Sequence, residues 1–302
     1  MKKIKAIAFA LLYLAIPIGV QLILSAIISF QVIVIRLLHG AQISSQALQD
    51  AASSYQVNII LVMIVDVILI VGMGLWYFFL RKENQPVNQP ERYGKLFQPN
   101  RIGLLVILAF ASQFVCNLVM MGFQVLFPEI YKDYTELAEG LSLDVLPVWC
   151  MLLIVGVIGP IAEEIVFRGM IFRTLRKGFS FGLAAILSGV FFGIYHMNWV
   201  QGVYASCLGI LLAFVYERTQ TIWGAILFHM FFNISSYVLE IMAKALPEWI
   251  VGLIYLIGMA VALVSFIPLL RKLSKMFPTK KLQHQQVEDT WMNQEEQQNE
   301  EF

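Results

Sequence analysis

Three observations predict an all-α fold, a polytopic transmembrane helical bundle of about eight spans. Hydrophobic residues make up 59% of the 302 residues and charged residues only 14%. The mean hydropathy is +0.74. Apolar runs recur along the chain, and roughly 20 such residues suffice to cross a hydrocarbon core of about 30 Å. A soluble core of this size could not hide so much apolar surface, so lipid is the solvent for most of the chain. The net charge of +1 gives no broad basic field for recruiting phosphates, which excludes a nucleic-acid binder.

The first run, 6–38, follows Lys2, Lys3 and Lys5 much as a cleaved leader would. It continues far past a leader's short apolar region and meets no small-residue cleavage site, so it is kept as a span. The others are 57–80, 102–127, 146–175, 181–197, 200–216, 222–243 and 249–270; the first and fourth are long enough to tilt or to run out along the interface. Basic residues collect on cytoplasmic ends. One set of ends carries Lys2, Lys3, Lys5, Arg81, Lys82, Arg92, Lys95, Arg101, Arg168, Arg173, Arg176, Lys177, Arg218, Arg271, Lys272, Lys275, Lys280 and Lys281. The other keeps Arg36, Lys132 and Lys244 beside acids such as Asp50, Glu129, Asp133 and Asp144. An even number of spans with both termini cytoplasmic fits this split. The chain divides into N-terminal transmembrane helices (1–145, about three spans), a transmembrane core (146–270) and a flexible cytoplasmic tail (271–302), Gln- and Glu-rich towards its end. Cys116, Cys150 and Cys207 lack motif spacing and read as small buried apolar residues.

Ionisable groups at membrane depth cost roughly 2.5 to 3.5 kcal/mol each on insertion scales, so each is a functional hypothesis. The fourth span contains Glu163-Glu164 and, four residues on, Arg168. Adjacent helical residues point about 100° apart, so the two carboxylates serve different ends. Glu164 has the i,i+4 spacing for an ion pair with Arg168, which leaves Glu163 to face the bundle interior. The fifth span ends with Phe192 and His196; the seventh holds His229 and Asn233, again four apart and on one face. Counted along the helices, Glu163 lies about 21 Å from Lys177 and His196 about 24 Å from Ser180, while His229 and Asn233 lie about 12 and 18 Å from Thr221. The groups can therefore meet at similar depth. Each motif alone has a bland reading, as a solvated acid–base face or a hydrogen-bonded structural histidine. Their conjunction points to a site. Asp66, in the middle of the second span, is the outlier, open to pairing with another polar residue or to supporting the site, with structure favoured over catalysis; Gln113, Asn117 and Glu240 read as structural.

These segments resemble the CPBP family, which comprises CAAX prenyl endopeptidases (CAAX prenyl protease 2), Abi-type intramembrane proteases, and bacteriocin-processing and immunity proteins. The pattern is Glu-Glu-x-x-x-Arg (Glu163, Glu164, Arg168), Phe-x-x-x-His (Phe192, His196) and His-x-x-x-Asn (His229, Asn233), in order and complete across 159–233. The resemblance implies an intramembrane endopeptidase acting on membrane-associated or lipidated proteins or peptides. Glu163 and His196 would activate a water, and His229 and Asn233 would stabilise the oxyanion. Glu164, Arg168 and Phe192 would support them. Members are also described as metalloproteases, and Glu163, His196 and His229 could supply a His₂Glu zinc set. The sequence lacks His-Glu-x-x-His, so a metal-free glutamate mechanism without a cofactor is expected, with zinc left open.

The competing expectations are a non-catalytic bacteriocin self-immunity factor or regulator with a membrane-protein partner, and a proton-coupled transporter using the same groups as a relay. Expected partners are the lipid bilayer and a peptide or lipidated protein substrate, with no nucleic acid. The continuation Arg168-Gly169-Met170 and the compact loops suggest a bacterial plasma membrane.

Overall fold

The computed structural model describes residues 2–38, 55–83, 94–140 and 147–277. Of the expected solvated tail, 271–302, the first residues instead continue the last helix to Met276, and those beyond 277 lie outside the described residues, as do Asp50, Arg92, Asp144, Lys280 and Lys281. No strand occurs among the described residues. The helices are α1 (Lys2–Leu38), α2 (Tyr55–Glu83), α3 (Pro99–Leu126) and α4 (Pro128–Gly140). They continue with α5 (Val148–Arg176), α6 (Phe181–Tyr195), α7 (Trp199–Thr219), α8 (Ile222–Ala245) and α9 (Glu248–Met276).

Seven of these are long and apolar enough to cross a membrane. The chain is a multi-pass helical bundle, as its composition predicts. The exceptions are α4, a polar amphipathic helix with Glu129 in its first turn, and α6. At 15 residues, α6 reaches about 22 Å, short of a hydrocarbon core of about 30 Å. The fifth candidate span is thus the ascending arm of a hairpin with α7.

Small residues hold that hairpin together. A methyl added at Gly193 would run into Ser206 and the Gly202 carbonyl, and one at Gly189 would meet Ile210 and the Ser206 carbonyl. Close backbone approach of this kind is how helices associate where lipid removes the hydrophobic drive between them. Arg176 and Glu217, 2.9 Å apart, tie the hairpin's open end to the end of α5. Asn198 caps α7 by accepting a hydrogen bond from the Gln201 N–H at 3.0 Å. Thr221 does the same for α8 through the Trp223 N–H at 3.3 Å.

The core surrounds α5, where Phe167, Phe172, Phe192, Phe228 and Phe232 are fully enclosed. By contrast α9 leaves Leu256, Val261 and Val264 exposed, an apolar face suited to lipid rather than water. Two contacts join chain ends that carry basic residues. The backbone of Lys2 and Lys3 packs against Gly178, and the Arg101 guanidinium lies 4.7 Å over the Phe277 ring.

Candidate functional site

The site is built on a helix that is not regular. In α5, π-helical segments Ile154–Ile158 and Ile165–Phe172 flank a short α-helical stretch, Gly159–Glu164. Pro160 explains the first. Proline has no N–H and its ring crowds the preceding turn, and a wider turn accommodates both. In this wide turn the Gly159 N–H reaches back five residues to the Ile154 carbonyl. The next carbonyl, Val155, would need a donor at position 160, where proline has none. Asn233 supplies it: its Nδ2 donates to the Val155 carbonyl at 2.8 Å. Its second N–H and its Oδ1 are not used by that bond.

Glu163 and Glu164 diverge as their adjacency requires. Glu164 and Arg168 are fully buried, and Arg168 Nη1 donates to Glu164 Oε1 at 2.8 Å. The other arm of the guanidinium donates to the Gly209 carbonyl of α7 at 3.0 Å, and its carbon sits 4.9 Å over the Phe192 ring. Phe192 also meets His196 and His229 edge-on, with centroid separations of 4.8 and 5.8 Å. One ring therefore sets the planes of three polar side chains.

The histidine tautomers follow from their partners. His196 Nδ1 lies 2.8 Å from the Phe192 carbonyl, which can only accept, so Nδ1 carries the proton. His229 Nδ1 lies 2.9 Å from Glu164 Oε1, the oxygen that already accepts from Arg168, so it too is the donor. Both Nε2 atoms are thereby turned towards Glu163. His196 Nε2 is 4.0 Å from Oε1 and His229 Nε2 is 3.6 Å from Oε2. Glu163, His196 and His229, singled out on three helices, converge on one carboxylate. Asn233 lies one helical turn from His229, with one amide N–H on the α5 backbone. The Glu164–His229 bond, which also makes Glu164 a partner of the site, was not foreseen from the Glu164–Arg168 spacing.

Among the described residues, no three His, Cys, Asp or Glu side chains form a group that could hold a metal ion. The two imidazoles approach different oxygens of Glu163, so Glu163, His196 and His229, the set the sequence leaves open for zinc, are not drawn together on one point here. No step below runs through a metal.

Asp66 of α2 lies beside the same stretch of α5. Its side chain is buried at 4% exposure, and its Oδ2 has no hydrogen-bond partner among the described residues. A methyl on Gly159, one turn before Glu163, would lie 3.6 Å from that oxygen. The available signal was an ionisable residue in the middle of a span, the criterion that singled out Glu163.

Two comparisons with known proteins match part of the chain. A protein of Bacillus subtilis (strain 168) named "Putative membrane peptidase YdiL" is 35% identical over 91 residues, which is 30% of this chain and 37% of that protein's length. No solved structure matches. Residues 145–235, which carry Glu163, Glu164, Arg168, Phe192, His196, His229 and Asn233, match the family described as Type II CAAX prenyl endopeptidase Rce1-like.

Proposed function

We propose that the chain is an intramembrane endopeptidase that hydrolyses a peptide bond of a membrane-associated or lipidated protein or peptide, in a bacterial plasma membrane, with Glu163 as the base. The observation that carries this reading is the convergence of two imidazole Nε2 atoms on the Glu163 carboxylate, each fixed by a hydrogen bond on its far side. The match of 145–235 to an endopeptidase family supports the reaction class.

The chemistry follows from the donors and acceptors. A water held between Glu163 and His196 gives one proton to Glu163 while its oxygen attacks the substrate carbonyl, and the neutral His196 Nε2 accepts the second O–H and orients it. Separations of 3.6 and 4.0 Å are wide for direct hydrogen bonds and suit groups that share such a water. His229, whose Nδ1–H is committed to Glu164, presents Nε2 to the oxyanion and donates to it once that nitrogen carries a proton. The free N–H of Asn233 is the second donor. Collapse breaks the C–N bond, and Glu163 returns its proton to the leaving amine. Water and amide become acid and amine.

Membrane peptidomics of cells carrying wild type or Glu163→Gln tests this. Peptides that depend on the protein disappear in the variant, a loss of about 100-fold or more by the usual worth of a general base, while the protein still accumulates in the membrane. An unchanged peptide profile in Glu163→Gln would sink the reading.

A further inference from the structure

Asp66 lies on α2, outside the matched segment, and the chemistry above does not use it. Two observations tie it to Glu163. Its carboxyl is almost fully buried, and Oδ2 has no hydrogen-bond partner among the described residues. An unpaired buried carboxylate is destabilising, and a residue serving only the fold would be better as an apolar one. Next, Gly159 and Glu163 are four apart in one α-helical stretch and so share a face. Helical side chains lean towards the N-terminus, which carries Glu163 back over the turn that contains Gly159. Gly159 has no side chain to fill that space, and Asp66 occupies its far side, 3.6 Å from where a Cβ would be.

We infer that Asp66 is a positioning residue of the site, whose carboxyl acts through Glu163 across the gap left by Gly159. The inference rests on the endopeptidase reading. Two like charges in a desolvated site repel, and Glu163 relieves that repulsion by accepting a proton. Asp66 therefore makes Glu163 readier to take the proton of the attacking water. It exchanges no bond itself. The surrounding groups do not duplicate it: Glu164 is held by Arg168 and His229, and His196 by the Phe192 carbonyl.

The test uses the full chain in lipid nanodiscs and, as substrate, a peptide found by the comparison above to be cleaved by wild type and spared by Glu163→Gln. Asp66→Asn keeps the shape and removes the charge. Its kcat falls about tenfold, the effect of about one unit of base strength, with KM within about twofold of wild type. Its thermal unfolding temperature stays equal or rises, since an unpaired buried charge has gone. Where Asp66→Asn does not accumulate, Asp66→Glu against Asp66→Gln carries the same comparison, and only the charged member retains turnover. Wild-type kcat in Asp66→Asn beside an inactive Glu163→Gln overturns this inference alone. A fall in unfolding temperature matched by equal losses in the charged and neutral variants also overturns it, in favour of packing. If no peptide depends on Glu163, the endopeptidase reading fails and the inference fails with it.

Discussion

Arg168 is the largest fully buried side chain described, and it has a hydrogen-bond or stacking partner on three helices. Removing one member of a buried ion pair leaves the other charge uncompensated, typically at a cost of 3 to 5 kcal/mol, about what Arg168→Leu should lose through Glu164. Arg168→Lys keeps the charge but has one nitrogen in place of a fork, so it cannot serve Glu164 and the Gly209 carbonyl together in the same geometry. Thermal unfolding in detergent should rank wild type above Arg168→Lys above Arg168→Leu; equal stability of the two variants would assign the role to charge alone. The Glu164–Arg168 pair was legible because an i,i+4 spacing is a local property. The Glu164–His229 bond was not, because those residues are 65 apart in sequence and only packing sets their distance.

At the scale of the element, the irregularity of α5 links two residues that sequence spacing does not connect. Pro160 withholds an N–H, Val155 keeps a carbonyl without its helical donor, and Asn233 donates to it. Asn233→Ala should therefore cost stability as well as any role at the oxyanion, about 1 to 3 kcal/mol for an unsatisfied buried acceptor. In a Pro160→Ala background the restored N–H can serve the helix, and the cost of Asn233→Ala should shrink by about 1 kcal/mol. Thermal unfolding of the four proteins measures the coupling, and identical costs in both backgrounds would refute this account of the wide turn. Pro160 was visible in the sequence as a helix disturbance. How the chain would absorb it was not, since kink, break and π-turn all answer a missing donor. Likewise the apolar run at 181–197 was legible as a helix but not as a short one, because hydropathy does not register the turn at His196–Asn198.

At the scale of the whole molecule, composition alone predicted the helical bundle, because burying peptide groups in lipid leaves few alternatives to helices. The pairing of helices was less legible. The α6–α7 contact depends on glycines that carry no hydropathy signal of their own, and α9 reads as strongly apolar although most of that surface faces outward. Glu163, His196 and His229 stood out because charge and imidazole are conspicuous among apolar residues. Asp66 stood out equally, but nothing in the order of residues says that α2 passes beside Gly159.

The short arm α6 sets a condition on the bilayer itself. A helix of about 22 Å next to neighbours that reach 30 Å or more cannot match one membrane thickness, and mismatch of this kind is relieved by local thinning. If the lipid meets that shortfall at the end of the hairpin that carries His196, acyl chain length becomes a variable of the proposed cleavage. In nanodiscs of short-chain lipids, turnover of a Glu163-dependent peptide should equal or exceed that in long-chain lipids. A clear preference for the thicker membrane would show that the hairpin imposes no such cost.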